Sequence, residues 1–219
     1  MNATGEVREP LNRTRVLRAA VSLADDAGIE SLSMRKLGHI LGVEAMSLYR
    51  HVANKDDILD GMVGLVMTEI ELPAATEPWG KAVRRSAISA HEALLRHPWA
   101  CSLMMMVPIG RAARAARTRY MDALLASLRR AGFTPDLTYR AYHVLDSHVL
   151  GFTLWQIGHQ FASEGDVSVA ANFVEELPSD QYPDLALHIE QHGQPGHDDE
   201  FEFGLDLVID GLTRMMEGQ

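Results

Sequence analysis

An all-α fold is predicted by three features of this 219-residue sequence. Apolar residues recur every three or four positions, which is the spacing of one helix face, and strand-like alternation is absent. Glycine, proline, asparagine and serine stand between these stretches, where helices begin and end. Hydrophobic residues make up 47% of the chain, too many for a disordered protein. The apolar runs are short, far below the roughly 20 residues that span a bilayer.

The charge of the chain is unevenly distributed. The formal net charge of −10 by itself argues against a nucleic-acid partner. Residues 164–219 contain 14 acidic residues and one basic residue, whereas residues 1–163 carry 19 Lys and Arg against 16 Asp and Glu. The objection therefore applies to the end of the chain. A single cysteine, Cys101, and a polar N-terminus unlike a signal peptide predict a cytoplasmic protein.

The N-terminal part is predicted to be a short disordered tail, residues 1–10, followed by closely spaced helices. Glycines stand where helices should end, and Ser or Asn stands where helices should begin. Gly42 separates two short helices. The predicted helices are 12–27 with its stop at Gly28, 33–41 capped by Ser33, 44–51, and a longer helix capped by Asn54.

The later helices are separated by proline and glycine. Gly132 followed by Thr134-Pro135 is a helix stop followed by a helix start. Residues 164–198 are acidic and contain prolines, which is typical of a mobile connection with one or two short helical pieces. The predicted helices are 79–97, 99–107, 110–131, 135–162 and 200–216.

Residues 33–53 carry the spacing of a helix-turn-helix, in which a second helix enters the DNA major groove. Leu37, Leu41 and Leu48 are placed to pack two short helices together around Gly42. The second helix leaves most of its side chains unburied, which suits contacts with base edges and phosphates. An ordinary three-helix unit with solvated charges is the alternative. The candidate DNA-contacting residues are Glu44, Ala45, Met46, Ser47, Tyr49, Arg50 and His51, with Arg13, Arg15, Arg18, Arg35, Lys36 and Lys55 around them.

Residues 12–60 resemble the DNA-binding domain of the TetR family of transcriptional regulators. The resemblance is carried by Met34-Arg35-Lys36-Leu37-Gly38, Leu41-Gly42-Val43, Leu48-Tyr49-Arg50-His51-Val52 and Asn54-Lys55. Further matches, Arg96-His97-Pro98-Trp99 and Phe201 to Asp206, resemble the C-terminal domain of the subgroup that contains the tetracycline repressor. The resemblance implies a DNA-binding domain over 11–60 and a ligand-binding and dimerisation domain over 61–219.

The resemblance also implies a homodimeric repressor that leaves a palindromic double-stranded operator when a small molecule binds. Tyr49, His51 and Lys55 would anchor phosphates with Arg35 nearby, while Glu44, Ala45, Met46, Ser47 and Arg50 would lie near base edges. The last two long helices of each subunit would form a four-helix bundle.

The final helix independently favours a subunit interface. It is apolar on more than one side, so it needs a partner besides its own core. Burial of its main apolar stripe in the chain's own core is the alternative. The predicted dimer-interface residues are Phe201, Leu205, Val208, Leu212 and Met215.

The middle of the chain is rich in Met, His and aromatic residues, which form adaptable apolar cavities. A packed core is the alternative. Met104 and Trp155 stand where the resemblance would place the metal-contacting His and Glu of the tetracycline repressor, and neither suits Mg²⁺, which prefers oxygen. A small apolar effector with no cofactor is therefore predicted. The candidate ligand-binding residues are Met62, Met67, His91, Trp99, Met104, His148, Phe152 and Trp155.

Other functions have weaker support. His188 and His192, near His197 and Asp198–Glu200, have a spacing that zinc can use, but the favoured interpretation is a solvated acidic loop in which these acids cap the next helix, so no metal is predicted. Enzyme motifs such as a nucleophile elbow, a phosphate-binding glycine loop or paired cysteines are absent, so no enzyme is predicted. A helical small-molecule-binding protein without specific DNA binding is the remaining alternative.

Overall fold

The computed structural model describes residues 10–106, 110–160, 180–191 and 199–218, and every regular element in these ranges is a helix. The predicted all-α fold is confirmed. Of the helices described, none combines the length and apolarity that a membrane span requires. The helices are α1 (Arg13–Ala27), α2 (Met34–Leu41), α3 (Ala45–Leu48), α4 (Lys55–Glu69), α5 (Trp79–Arg96), α6 (Pro98–Met106), α7 (Arg111–Arg130), α8 (Pro135–Gln160), α9 (Pro183–Gln191) and α10 (Glu200–Glu217), with a 3₁₀ turn at Ile29–Ser31.

Three predicted helix starts in the N-terminal part are confirmed by their caps. The side chains of Asn12, Ser33 and Asn54 each accept a hydrogen bond from the backbone N–H three residues later, at 2.8, 3.2 and 2.8 Å. These bonds satisfy N–H groups that a helix leaves free at its start. Gly42 and Gly132 end their helices with φ values of 68° and 101°, a conformation that glycine adopts without strain.

The helix predicted over 44–51 is shorter than expected. Its helical part, α3, covers Ala45–Leu48, and the chain continues to His51 in tighter turns. The N–H of His51 donates to the carbonyl of Leu48 at 2.9 Å, an i to i+3 bond. Glu44 occupies the N-cap but makes no side-chain cap bond. An uncapped start and a tightened end leave room for only one regular turn.

The chain folds as two compact units. Unit 1 is the described part of residues 1–72 with Glu92–Leu124, and unit 2 is Pro73–His91 with the described part of Leu125–Gln219. The boundary predicted between residues 60 and 61 falls inside α4, all of which belongs to unit 1. Within the predicted connection 164–198, α9 is a short helical piece. The parts of the predicted tail and connection that lie outside the described residues are 1–9, 164–179 and 192–198, and the predicted end of the 135–162 helix at 161–162 lies outside them as well.

The core of unit 1 lies between α1, α2, α3, α4 and α6. Val16, Leu37, Leu48, Ile58 and Met62 are completely buried there. Burial of each such side chain stabilises the fold by roughly 1.5–3 kcal/mol. The residue that buries α3 against α2, Leu48, is thus aliphatic, and the polar residues of α3 are left for other contacts.

The core of unit 2 forms where α8 packs on α10, around Leu145 and Leu205. Arg84 links α5 to α10 in this core. Its Nε donates to Asp206 Oδ1 at 2.7 Å and its Nη2 donates to Glu202. All three side chains are more than one-third exposed, so the ion pairs contribute modestly. The fully buried leucines therefore provide most of the stability of this layer.

Candidate nucleic-acid interface and effector region

The turn between α2 and α3 is built on two glycines. Gly42 adopts the left-handed conformation, and the N–H of Val43 donates to the carbonyl of Gly38 at 2.9 Å. A Cβ on Gly38 would lie 2.8 Å from the carbonyl oxygen of Val43 and 3.2 Å from the nitrogen of Ala45. No larger residue fits without moving the backbone. These glycines therefore let α3 lie directly against α2, as a helix-turn-helix requires.

The recognition turn, Glu44–His51, has a buried inner face and an exposed outer face. Leu48 is buried, whereas Met46 is 74% exposed. An apolar side chain placed in this way can contact a thymine methyl group, and a carboxylate can accept from a cytosine amino group. Among the predicted DNA-contacting residues of this turn, the exposed ones are Glu44, Met46, Tyr49 and Arg50, and the half-buried ones are Ala45, Ser47 and His51.

Cations surround the recognition turn. Arg35 and Lys36 lie in the first turn of α2, and Lys55 is the first residue of α4. All three are exposed, as is Arg50. Within the described part of the chain, none of these four side chains takes part in an ion pair. They are available for phosphates, which supply most of the affinity of a protein for DNA.

Arg13 differs from these cations, and the structure corrects its predicted role. Its guanidinium donates to both carboxylate oxygens of Asp57, each at 2.7 Å, and Nη1 also reaches the carbonyl of His51 at 3.3 Å. Asp57 further accepts from the N–H of Ala53 at 2.8 Å. Arg13 holds the pKa of Asp57 below its usual value, mainly through these hydrogen bonds. Arg13 therefore joins α1 to the end of the recognition turn and is not free for phosphate.

Four predicted effector-contacting residues belong to unit 1. Met62 and Met67 are buried in α4, while Trp99 is buried and Met104 half-buried in α6. The indole N–H of Trp99 donates to Asp25 Oδ1 at 2.7 Å, and Nδ1 of His97 lies 2.8 Å from the same oxygen. Because the indole N–H of Trp99 is already hydrogen-bonded to Asp25, only the ring surface of that side chain remains for a ligand.

The other four predicted effector-contacting residues belong to unit 2. The ring of His91 stacks on Phe201 at 3.8 Å between centroids and meets the edge of Phe152 at 6.0 Å. Nδ1 of His91 lies 2.8 Å from Oγ1 of Thr153, whose hydroxyl donates to the carbonyl of Val149. His91 is therefore the donor in its bond to Thr153. Burial lowers the pKa of His91 to about 4, so the ring is neutral at pH 7.

His148 and Trp155 extend this aromatic group. Nε2 of His148 lies 2.9 Å from the carbonyl oxygen of Phe201, so this nitrogen is the donor. The ring centroid of Trp155 lies 5.5 Å from that of Phe152, and the Trp155 side chain is about half exposed. The structure thus brings together three predicted residues, His91, His148 and Phe152, with Phe201. We call these four residues the aromatic cluster.

The predicted dimer face of α10 is corrected in part. Phe201 and Leu205 are buried inside the subunit, because this side of α10 packs on α8 and α5. Leu212 is also buried, but it lines a surface groove together with Met215. Val208 is half-buried, and Met215 is 57% exposed. Two apolar residues that were not predicted at the interface, Phe203 and Leu207, are 64% and 57% exposed.

The alternative metal and nucleophile sites gain little support. His188 and Glu200 are exposed on different helices, while His192, His197 and Asp198 lie outside the described residues. In the described ranges, no three His, Cys, Asp or Glu side chains are grouped to hold a metal ion. Cys101 is buried, and burial raises the pKa of its thiol to about 11. The thiol is therefore a poor nucleophile at neutral pH.

Sequence reasoning missed the polar partners that organise these regions. No long-range partner was predicted for Asp25, Asp57 or Thr153. Their hydrogen-bond partners lie 44 to 74 residues away along the chain. No local spacing signals such a pair.

The glycine turn, the exposed outer face and the surrounding cations define a helix-turn-helix DNA-binding protein. Two family descriptions match the chain: "Bacterial regulatory proteins, tetR family" over residues 16–62 and "Tetracyclin repressor-like, C-terminal domain" over residues 72–216. The chain belongs to the TetR family, and it is a ligand-responsive, DNA-binding transcriptional regulator. Both the predicted family and the predicted subgroup are confirmed.

Individual relatives agree with this assignment. The HTH-type transcriptional repressor DrrR1 of Streptomyces coeruleorubidus is 33% identical over 213 residues, which cover 92% of this chain and 77% of the relative. The crystal structure of a possible TetR family regulator from Streptomyces coelicolor A3(2) is 27% identical, with a TM-score of 0.76, and covers 93% of this chain and 100% of that one. The ActR protein of Streptomyces coelicolor in complex with actinorhodin is also 27% identical, with a TM-score of 0.72 and coverages of 95% and 99%.

Proposed function

We propose that the protein is a cytoplasmic homodimeric repressor. Two copies of the recognition turn read a palindromic operator, and a small, largely apolar effector releases the repressor from DNA. The outer face of the recognition turn carries this proposal, because it combines exposed base-reading side chains with unpaired cations. In a symmetric dimer the two turns would contact half-sites about one helical turn apart.

The roles proposed on DNA follow from side-chain chemistry. Tyr49, His51 and Lys55, with Arg35 and Lys36, would contact phosphates and set the register of the protein on the duplex. The remaining candidates would face the bases in the major groove. These base-facing residues are Glu44, Ala45, Met46, Ser47 and Arg50.

Dimerisation is assigned to the exposed apolar residues of α8 and α10. Tyr139 and Val144 on α8 and Phe203, Leu207 and Met215 on α10 are all exposed. A groove of about 540 Å³ lies along these helices, lined by Leu137, Tyr139, Arg140, His143, Val144, Leu212 and Met215. A second copy of the chain would cover this surface and form a four-helix bundle. Val208 lies at the edge of the same face.

The effector is proposed to be apolar for two reasons. In unit 2 the aromatic cluster offers ring surfaces, and Nδ1 of His91 and Nε2 of His148 are already hydrogen-bonded within the chain. In unit 1 Met62, Met67, Trp99 and Met104 offer thioether and ring surfaces. Met104 and Trp155 provide no oxygen for Mg²⁺, so a metal chelate like that of the tetracycline repressor is not proposed. ActR, solved with actinorhodin, is a relative with an organic ligand.

A DNA selection experiment tests the proposal. Duplexes with a randomised centre are selected on the purified protein, and the enriched sequence is measured by fluorescence anisotropy. We expect a palindrome, about 10-fold or more loss of preference for it in the Glu44→Ala/Met46→Ala variant, and unchanged non-specific binding. The matched control, Met121→Ala/Asp122→Ala, removes an exposed Met and acid from α7 and should bind like the wild type. If no sequence is enriched while small molecules bind, the protein is a ligand-binding scaffold and the proposal fails.

A further inference from the structure

Helix α7 begins without a capping side chain of its own. The carbonyl of Gly110 accepts the first helical bond, from the N–H of Arg114 at 3.1 Å, so Gly110 occupies the N-cap position. Asp, Asn, Ser or Thr at this position would normally accept from the N–H groups two and three residues later. Glycine has no side chain to do so. The first turn of α7 therefore depends on a group from elsewhere in the chain.

Asp60, in the middle of α4, provides that group. Its Oδ2 accepts from the N–H of Ala112 at 2.8 Å and its Oδ1 from the N–H of Ala113 at 3.0 Å. These are the two N–H groups that a cap residue would satisfy. The carboxylate also lies at the positive end of the α7 dipole, where an anion is stabilised. All of these groups belong to unit 1.

Two glycines make this contact possible. A Cβ on Gly110 would lie 2.3 Å from the carboxyl carbon of Asp60, and a Cβ on Gly64 would lie 3.2 Å from the Cβ of Ala112. A residue with a side chain at position 110 would displace Asp60 from the helix start. The local sequence therefore leaves the α7 cap to a residue of α4.

The same helix α4 is joined rigidly to the recognition turn. Its first residue is Lys55, its N-cap is Asn54, and Asp57 in its first turn holds Arg13 and the N–H of Ala53. Any tilt of α4 must therefore move the recognition turn with it. A tilt that separates Asp60 from α7 also removes the cap from α7.

We propose that Asp60 is a positioning residue that couples the recognition turn to α7, by capping α7 from α4. The cap restricts α4 to one orientation, and with it the spacing of the two recognition turns in the dimer. The inference rests on the proposed function, since it concerns how the protein holds its operator spacing.

The experiment moves the carboxylate from α4 to the natural cap position of α7. Asp60→Ala removes the cap, and Asp60→Ala/Gly110→Asp restores a cap within α7 while leaving α4 unconnected, at the net charge of the wild type. Gly110 has no positive φ, and the substitution at position 60 removes the carboxylate that an added Cβ would meet. Asp122→Ala, an exposed acid of α7, controls for the loss of one charge. The measurements are the melting temperature and the affinities for the selected operator and for the same operator with one base pair inserted at its centre.

The double variant separates positioning from simple stabilisation. We expect Asp60→Ala to lower the melting temperature by about 2–4 °C, as the loss of a helix cap does in a chain of this size, and the double variant to recover it. The insertion penalty is the ratio of the affinity for the operator to the affinity for the operator with one inserted base pair. This ratio should nevertheless fall about fivefold in both variants, because about fivefold in affinity corresponds to the free energy of one helix cap. A double variant that keeps the wild-type penalty within twofold would overturn the inference. If the wild type selects no operator, the proposed function fails instead, and the two failures are thereby distinguished.

Discussion

The recognition turn of unit 1 and the aromatic cluster of unit 2 use polar side chains in opposite ways. On the recognition turn, Glu44 and Arg50 extend into solvent. In the aromatic cluster, His91 and His148 are hydrogen-bonded to Thr153 and to the carbonyl of Phe201. The first surface can exchange water and salt ions for DNA, whereas the second presents stacked rings whose histidines are hydrogen-bonded inside the unit. Perturbing charge should therefore affect the first region, and perturbing packing or pH should affect the second.

The largest effect is expected from the core of unit 2. Leu205→Ala should reduce the free energy of unfolding by about 2–5 kcal/mol, because this fully buried side chain would leave a cavity between α8 and α10. Urea unfolding followed by circular dichroism measures the change. Leu207→Ala, two residues away and 57% exposed, should leave the subunit core intact and weaken dimerisation, as read by sedimentation. If both variants lose the same free energy of unfolding, α10 does not have one side in the subunit core and another side outside it.

The next largest effect concerns pH and the aromatic cluster. The pKa of His91 is lowered from 6.5 to about 4 by burial, so the folded state binds fewer protons than the unfolded state between these pH values. Stability should therefore fall as the pH drops from about 6.5 to about 4, by up to about 3 kcal/mol, and then level off. His91→Phe should remove this part of the pH dependence.

The exposed His39 of α2 provides the control for this titration. Urea unfolding at several pH values between 7 and 4 is compared for the wild type, His91→Phe and His39→Ala. Apart from His148, whose charge acts on His91, the other histidines are common to the wild type and His91→Phe and cancel in the difference. If His91→Phe and the wild type lose stability in parallel over this range, His91 is not the neutral, buried base that the cluster indicates.

Local features of the fold could be predicted from the sequence, and the long-range ones could not. The helix start at Asn12, the caps at Ser33 and Asn54 and the turn at Gly42 were predicted because each depends on atoms within a few residues. The same holds for the exposed outer face of the recognition turn. The length of α3 was overestimated because i to i+3 bonds replace the helical ones, and residue preferences do not separate these alternatives.

Pairings between distant residues account for the corrections. The sequence of α10 is apolar on several sides, so periodicity could not decide which side faces α8. Phe201 and Leu205 were therefore placed among the predicted interface residues, and the exposed Phe203 was not. Arg13 likewise has the composition of a phosphate-binding residue, and only the fold places Asp57 against it. Such choices depend on tertiary packing that no short window of sequence contains.

A smaller effect is expected on DNA affinity. Tyr49→Ala/Lys55→Ala should weaken binding to the operator and to random DNA alike, by about 10- to 30-fold, because phosphate contacts carry no sequence information. The slope of log affinity against log salt should become shallower by about one. Fluorescence anisotropy at several salt concentrations measures both quantities. The aromatic-cluster variant His91→Phe is the matched control and should keep the wild-type slope. A double variant that discriminates between sequences differently from the wild type would assign these residues to base reading.

The smallest effect is expected where α1 meets the recognition turn. Asp57→Asn keeps the size of the side chain but removes the charge that Arg13 holds, and it should cost about 1 kcal/mol of unfolding free energy, since both side chains are partly exposed and screened. The folded pKa of Asp57 lies below the ordinary 3.8, so its contribution is present above that pH and is lost as the pH falls through the lowered value. The wild type and Asp57→Asn should therefore differ by a constant amount from pH 7 to about pH 5 and converge only below pH 4. This pH range lies below the range in which His91 changes stability. As the pH falls, the stability lost through His91 in unit 2 should therefore be lost before that of the Arg13–Asp57 contact in unit 1. A difference that already shrinks between pH 6 and pH 5 would show that Asp57 is not held by Arg13 in solution.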